Sequence, residues 1–420
     1  MDTKRLMMPR LSVMMFLQFF IWGAWYTSIA VYMSQAGMGS LTHWPYTVNP
    51  IAAIVAPFFL GLVADRFFAT QKVLALLHML GGVILCLTPA TADNHVLFVL
   101  MLLAYNLCYM PTLGLSNAIA FKHIDDQEKQ FPMIRVFGTI GWIIAGLFIS
   151  FMAGKLLGIE GVVEKTPVPL YVAGAASILL GLYCLTLPAT LPNRSQKPLT
   201  FSEISGLSAL KELASPAFMV FLAASFLICI PLAAYYNFTQ LFLSQANIEN
   251  IAGIQTLGQA SEIIFMLLMP LFFKRFGVKT MLLVGMLAWV ARYVLFAYSA
   301  TDSVVWMIML GIALHGICYD FFFVTGQIYV DKRANDRIRS QAQGLMVLVT
   351  YGIGMFIGAL IAGEVYNQFL DGAEALTPEN WAHFWWLPAL FALGVALLFM
   401  LFFKEKTSEI PPQTATARQH

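Results

Sequence analysis

Long apolar stretches fill most of this sequence, and they restrict the chain to one class of fold. A helix that spans the hydrocarbon core of a membrane needs about 20 predominantly apolar residues. Twelve such stretches follow one another, centred near residues 22, 55, 82, 108, 144, 178, 230, 263, 288, 317, 352 and 393. Charged residues make up 11% of the chain, against about 25% in soluble domains. The sequence therefore predicts an all-α membrane protein with twelve transmembrane helices.

The basic residues lie almost entirely on one side of the predicted membrane. Of the 24 Lys and Arg residues, 21 fall in the N-terminus, the C-terminus and the loops after even-numbered spans. Two, Lys155 and Lys165, fall in the opposite loops, and Arg292 falls within a span. Since loops rich in Lys and Arg stay in the cytoplasm, we expect both termini to be cytoplasmic and the number of spans to be even.

A polar connection over residues 188–215 divides the predicted spans into six and six. We therefore predict an N-terminal six-helix bundle over residues 1–187, a cytoplasmic linker over 188–215, a C-terminal six-helix bundle over 216–404 and a polar cytoplasmic tail over 405–420. Two six-helix halves related by an axis along the membrane normal are the architecture of major facilitator transporters. The sequence predicts this fold.

The loop after the second span reads Gly61-Leu-Val-Ala-Asp65-Arg66-Phe67, which resembles the signature of this loop in the major facilitator superfamily. Asp65 can accept hydrogen bonds at a helix end and pair with a basic residue across the interface between the halves. Asp65 and Arg66 would then form a conformational latch. The alternative is an acid at the membrane interface beside an Arg that extends its charge to water.

The eighth span places Gln259 and Glu262 three residues apart, so both side chains lie on one helix face. A charge at the centre of a membrane helix costs roughly 2.5 to 3.5 kcal/mol, and such residues usually line a polar cavity or pair with each other. A carboxyl group in an apolar segment favours its neutral form, which suits a group that binds and releases a proton. Glu262 is therefore our first candidate for proton coupling, the alternative being a structural hydrogen bond between helices.

The tenth span contains His315 and Tyr319, which are four residues apart and share a face. An imidazole and an aromatic ring that face a cavity can stack on a flat ligand. Asp320 points to a different side of the same helix. It is a candidate for a second proton site or, alternatively, the partner of a buried Arg, for which Arg292 in the ninth span is available.

The fifth span carries Arg135, Thr139 and Trp142 at the i, i+4, i+7 spacing of one helical stripe. An Arg donates several hydrogen bonds and suits a ligand rich in hydroxyl or carbonyl groups. Arg135 is also close enough to the end of the span to extend to the cytoplasmic interface instead. Further polar and aromatic residues in the first and seventh spans are Gln18, Trp22, Trp25, Tyr26, Tyr236 and Asn237.

The sequence contains no motif of a hydrolase or an ATPase, since it lacks a Walker motif, G-x-S-x-G and H-E-x-x-H. Its five cysteines show no paired spacing, so neither a disulfide nor a metal site is indicated. We expect a transporter and not an enzyme, with no cofactor and with the proton gradient as its energy source.

Six sequence blocks resemble the bacterial nucleoside:proton symporters of the major facilitator superfamily. They are FLQFFIWGAW (16–25), YMPTLGLSN (109–117), FPMIRVFGTIGW (131–142), GQASE (258–262), YDFF (319–322) and SQAQG (340–344). The resemblance implies a multi-pass protein of the bacterial cytoplasmic membrane that takes up nucleosides with protons by alternating access. We expect it to act as a monomer and to bind no nucleic acid.

The resemblance also implies roles for individual residues. Arg135 and Thr139 would contact the nucleoside, and Trp142 stands where an aromatic ring stacks. Gln259 and Glu262 would bind the ribose, with Glu262 tied to proton coupling. The full substrate-binding prediction is Arg135, Thr139, Trp142, Gln259, Glu262, His315, Tyr319 and Asn237, and the proton-coupling prediction is Glu262 and Asp320.

Two departures from the family pattern leave the substrate open. Ala233 and Tyr236 in the seventh span stand where the family places amides, and His315 stands where it has a Tyr. One alternative function is proton-coupled uptake of a sugar or glycoside, because residues that bind ribose also suit other polyols. A sensor that binds nucleosides without transporting them, and an efflux pump, are the others.

Overall fold

The computed structural model describes residues 6–59, 68–191, 202, 205–335 and 338–404, and within these ranges the chain is helical and contains no strand. The membrane helices are α1 Met7–Gln35, α2 Trp44–Phe59, α3 Thr70–Leu87, α4 His95–His123, α5 Lys129–Leu157, α6 Val168–Cys184, α7 Pro216–Gln245, α8 251–276, α9 278–299, α10 Val305–Arg333, α11 Arg339–Leu370 and α12 Pro378–Phe402.

The helix lengths account for the twelve predicted spans. Nine helical segments in the described ranges are long and apolar enough to cross a membrane. One of them, Ile251–Ser299, has 49 residues and contains both α8 and α9. The apolar helices α2 and α6 are shorter, with 16 and 17 residues. The prediction of an all-α fold with twelve membrane helices is confirmed.

The turn between α8 and α9 depends on a single glycine. Gly277 has φ 69° and ψ 178° inside an otherwise helical segment, a backbone conformation that is essentially restricted to glycine. The chain therefore reverses direction here without a separate loop.

Local sequence sets the start of several helices. Ser215 and Thr377 cap α7 and α12, each accepting a hydrogen bond from the backbone N–H three residues later, at 3.3 Å and 3.2 Å. A proline follows each cap, where its fixed φ suits the first helical position and its missing N–H costs nothing.

The helices pack as two halves. In the first half α1 packs along α5 and α3 along α6, and in the second half α7 packs along both α11 and α12. A buried polar chain ties the first half together: His78 bonds to Gln18 at 2.9 Å and to Ser177 at 3.1 Å, and Gln18 donates to Thr112 at 2.7 Å. Residues 192–201, 203 and 204 of the predicted linker and all of the predicted tail lie outside the described residues, so the domain boundaries stay a prediction.

The two halves meet at the membrane side where α1 ends and α2 begins. Gln240 of α7 accepts a hydrogen bond from the backbone N–H of Ala30 at 3.0 Å and donates to the hydroxyl of Tyr46. Gln255 of α8 donates to the backbone carbonyl of Thr27 at 2.9 Å. We call these contacts of Gln240 and Gln255, together with those of Glu164, the closure. The closure bounds one end of a cavity between the halves.

Candidate functional site

A cavity of about 380 Å³ lies between the two halves, within the size range of small-molecule sites. Helices of both halves contribute to its wall. The lining residues are Phe19, Trp22, Tyr26, Asn49, Pro50, Ala53, Met110, Leu113, Asn117, Arg135, Thr139, Trp142, Tyr236, Gln259, Glu262, His315, Tyr319, Val347, Tyr351 and Met355.

The predicted stripe on α5 faces this cavity. Arg135, Thr139 and Trp142 all line it, because positions spaced by three or four residues fall on one helix face. The guanidinium carbon of Arg135 lies 4.1 Å from the ring centroid of Phe19 on α1, a cation–π distance. Arg135 therefore extends into the cavity and not to the cytoplasmic interface.

The predicted pair on α8 faces the cavity from the second half. Both Gln259 and Glu262 line it, and Arg135 lines it from the first half. No hydrogen bond or ion pair within 4 Å joins Arg135 or Glu262 to another of the residues that the structure describes. The cavity thus contains a cationic and a carboxyl group, one from each half, that are open to a polar ligand.

Aromatic rings form much of the remaining wall. Trp22 lies 5.5 Å from Trp142 and 5.7 Å from Tyr26 between ring centroids, both edge-to-face. Tyr26 also lies 6.1 Å from Tyr236, so this aromatic wall crosses from one half to the other. A cavity bounded by such rings can hold a flat apolar face of a ligand.

The predicted pair on α10 also lines the cavity. His315 stacks on Tyr235 with the ring centroids 5.4 Å apart and lies 5.8 Å from the ring of Tyr319. The hydroxyl of Tyr319 is hydrogen-bonded to that of Tyr351 on α11. The α10 pair is therefore held by neighbouring aromatic side chains.

Three cavity-lining residues carry buried polar atoms that lack a partner in the described part of the chain. They are Nε1 of Trp22, Oε1 of Gln259 and Nδ1 of His315. Buried polar groups are nearly always hydrogen-bonded in folded proteins. A ligand with both donors and acceptors would satisfy these groups.

Two predicted residues lie outside the cavity lining. Asn237 is fully buried, and both polar atoms of its side chain lack a partner among the described residues. Asp320 is also fully buried, at the start of a π-helical turn, Asp320–Val324. Neither residue reaches the cavity surface in this conformation, so a direct contact of Asn237 with the ligand stays a prediction.

Asp320 and Arg292, one pairing considered from the sequence, do not form an ion pair in the structure. Arg292 is fully buried, donates from Nε to the carbonyl of Gly311 at 3.0 Å and lies with its guanidinium carbon 4.0 Å from the Tyr235 ring centroid. Both carboxyl oxygens of Asp320 lack a partner within the described ranges. The other predicted charged pair, Asp65 and Arg66, lies outside the described residues.

A carboxyl group from the first half secures the closure beside this cavity. Glu164, in the connection between α5 and α6, is buried and accepts hydrogen bonds from the Ser150 hydroxyl at 2.5 Å and from the backbone N–H of Ala252 at 3.1 Å. Ser150 itself accepts from the N–H of Gly253 at 2.8 Å. The first half thus caps the N-terminus of α8, whose own preceding residue, Asn250, makes no side-chain cap.

Sequence reasoning missed the contribution of α2 and α11. Asn49, Pro50 and Ala53 of α2, with Tyr351 and Met355 of α11, line the cavity. A signal existed for Asn49, because polar residues inside membrane spans usually face a cavity or another polar group. Trp25, another aromatic residue of the first span, is in contrast buried against Tyr105.

Comparison with known proteins agrees with this arrangement. The family model described as nucleoside H+ symporter matches residues 5–408. The chain is 41% identical over 406 residues to YegT of Escherichia coli (strain K12), covering 96% of this chain and 95% of YegT. It is 30% identical to the xanthosine permease of the same organism, covering 94% and 95% of the two chains. The crystal structure of the nucleoside transporter NupG superposes with a TM-score of 0.83 at 29% identity, covering 97% of this chain and 100% of NupG.

Proposed function

The chain belongs to the nucleoside proton symporter family, and from this membership we propose how its cavity performs proton-coupled nucleoside uptake. It is a multi-pass membrane transporter and not an enzyme. The observation that carries the proposal is the convergence of Arg135, Thr139 and Trp142 from one half with Gln259 and Glu262 from the other on one cavity.

The nucleoside lies between the two halves in this proposal. Its ribose hydroxyls bind Gln259 and Glu262, where the unpartnered Gln259 oxygen can accept a hydrogen bond. Arg135 and Thr139 donate to oxygens of the ligand, and the base stacks beside Trp142. His315 and Tyr319 complete the wall. Asn237 would contact the nucleoside only in a conformation that brings its side chain to the cavity.

Protons enter the cycle at Glu262 and Asp320. Glu262 borders the ligand space, so its protonation state and ligand binding affect each other directly. Asp320 is buried without a partner among the described residues, and an unpaired carboxylate inside a membrane is costly. Proton binding or release at Asp320 therefore changes the relative energy of the conformations that bury or expose it.

The orientation of the chain follows from its charge distribution. With both termini in the cytoplasm of a bacterial cell, the closure lies on the outer side of the membrane. Each inward proton supplies about 2.3 kcal/mol per 100 mV of membrane potential. We propose that this energy alone drives accumulation, by a monomer that needs no cofactor.

Uptake in cells tests this function. Radiolabelled uridine and adenosine uptake is measured in cells that lack their own nucleoside transporters, with and without a protonophore, for the wild type and Glu262→Gln. Accumulation that the protonophore abolishes and that Glu262→Gln loses is the expected result. Well-expressed protein without uptake would overturn the proposal, and competition by free ribose or a disaccharide would then identify a sugar symporter. Nucleoside binding without accumulation would identify a sensor.

A further inference from the structure

The side chain of Asn49 on α2 is held in one orientation at the edge of the cavity. Its Nδ2 donates to Oδ1 of Asn106 on α4 at 2.8 Å, and Nδ2 of Asn106 donates to the carbonyl of Leu102 at 2.8 Å. Because Asn106 uses its amino group on its own helix, its oxygen faces Asn49, and Asn49 must present its amino group in return. The oxygen of Asn49 is thereby directed away from Asn106.

No described residue donates a hydrogen bond to the oxygen of Asn49. The side chain lines the cavity and is 8% exposed, whereas Asn106 behind it is fully buried. Asn49 therefore offers an oriented acceptor to whatever occupies the cavity, and a neutral ligand group that donates an N–H or O–H is its natural partner.

The position of Asn49 in the cavity determines which part of a bound nucleoside it can contact. α2 packs against α11 on one side of the cavity, and α5 packs against the α8 segment on another. Under the proposed function, Gln259 and Glu262 on α8 hold the ribose at the second of these walls. The base, which stacks beside Trp142, then extends across the cavity toward the wall formed by α2 and α11, where Asn49 lies.

We propose that the oxygen of Asn49 accepts a hydrogen bond from an N–H group of the base, so that Asn49 is a specificity-determining residue; this rests on the proposed function. Uracil offers a ring N–H and adenine an exocyclic amino group. The opposing possibility is that Asn49 only bridges α2 to α4. A bridge between helices would be insensitive to which groups the ligand carries.

Pairs of ligands that differ in one N–H group distinguish a contact with the base from a bridge between α2 and α4. Dissociation constants of uridine, 3-methyluridine and 5-methyluridine are measured on purified protein by competition with radiolabelled uridine. The first analogue lacks the ring N–H, and the second carries its methyl group elsewhere on the ring. For a base without this N–H, adenosine and N6,N6-dimethyladenosine form the equivalent pair.

The wild type should bind uridine more tightly than 3-methyluridine by about 2- to 12-fold, the range of one neutral hydrogen bond. Asn49→Ala should lose this difference because its affinity for uridine falls. The affinity for 5-methyluridine should match that for uridine in both proteins. Asn117→Ala, which alters another cavity-lining Asn, should retain the difference. Adenosine and its dimethyl analogue should follow the same pattern.

Asn49→Ala leaves Asn106 without its donor, so Asn49→Ser is made beside it. The serine hydroxyl retains a polar group near Asn106 but is too short to reach the ligand, and we expect the same loss of discrimination. Equal weakening of both members of each pair, or no change in either, would overturn the inference. Failure of the wild type to bind any nucleoside would instead overturn the proposed function, and this inference with it.

Discussion

The carboxylate of Glu164 in the first half accepts a hydrogen bond of 3.1 Å from the backbone N–H of Ala252 in the second half. A carboxylate at a helix N-terminus stabilises the unpaired N–H groups and the positive end of the helix dipole. Here the helix and its cap belong to different halves. The contact therefore exists only while the two halves are closed at this side, and it biases the equilibrium toward that state.

Removing this cap should loosen the closure. Glu164→Ala is expected to destabilise the closed state relative to the open state by about 1 kcal/mol, a typical capping energy. This corresponds to roughly a fivefold increase in the ratio of open to closed states. Glu164→Gln keeps an acceptor oxygen and should show a smaller effect. The readout is the rate at which an impermeant maleimide labels a cysteine placed at Tyr26, beneath the closure.

Glu160→Gln is the matched control for this prediction, because Glu160 is an exposed acid of the same connection. It should label at the rate of the parent Tyr26→Cys protein. A Glu164→Ala rate equal to that of the control would show that the cap does not hold the halves together.

Acid on the outer side should also weaken the closure, through His43. This residue lies between α1 and α2, where its ring occupies the space that a side chain at Gly363 would need. Burial lowers the pKa of His43 from 6.5 to about 4, against an opposing effect from the Glu364 charge. In the open state, in contact with water, the pKa returns to about 6.5.

Neutral His43 therefore stabilises the closed state fully above pH 6.5, and this contribution decreases as the pH falls toward 4. Linkage gives about a tenfold shift toward the open state between pH 7.5 and pH 5.5. The same labelling assay should show this increase, and His43→Gln should flatten it. A pH dependence of equal size in His43→Gln would assign the effect to another group.

Trp142 should supply binding energy through its ring. Stacking of a base on an aromatic side chain contributes about 1 to 3 kcal/mol, or roughly 5- to 150-fold in affinity. Trp142→Ala should weaken nucleoside binding within this range, whereas Trp142→Phe should retain most of the affinity. Competition binding on purified protein measures both. An alanine variant with unchanged affinity would place the base elsewhere in the cavity.

Gly277 should be required for stability. An alanine there must adopt the backbone conformation that Gly277 has now, at a cost of about 1 to 3 kcal/mol. Gly277→Ala should therefore lower the Tm in detergent. Gly394→Ala, at a helical position with open space around the Cβ, should leave the Tm unchanged or raise it. Equal Tm values for the two variants would contradict the role of Gly277.

Much of the cavity could be predicted because membrane helices expose polar residues in regular patterns. The spacing of Arg135, Thr139 and Trp142, and that of Gln259 and Glu262, fixes which residues share a face, and both faces line the cavity. Periodicity alone does not say which face points inward. Residue type says still less, and Trp25 and Asn237, which were predicted as aromatic and polar residues inside spans, are buried away from the cavity.

The closure could not be predicted in the same way. Its bonds use backbone groups of Ala30, Thr27 and Ala252, and every residue type except proline carries both such groups. Glu164 also lies outside the apolar spans, where an acidic residue is unremarkable. Only the packing of one half on the other identifies these contacts.

We propose that nucleoside and proton move together through the cavity that contains Glu262. The most direct measurement uses purified protein in liposomes with an imposed inside-negative potential and a trapped pH indicator. External uridine should acidify the lumen of wild-type liposomes and of those with Glu249→Gln, an exposed control position. Glu262→Gln should abolish the acidification. Uridine accumulation by the wild type without proton entry would contradict this coupling.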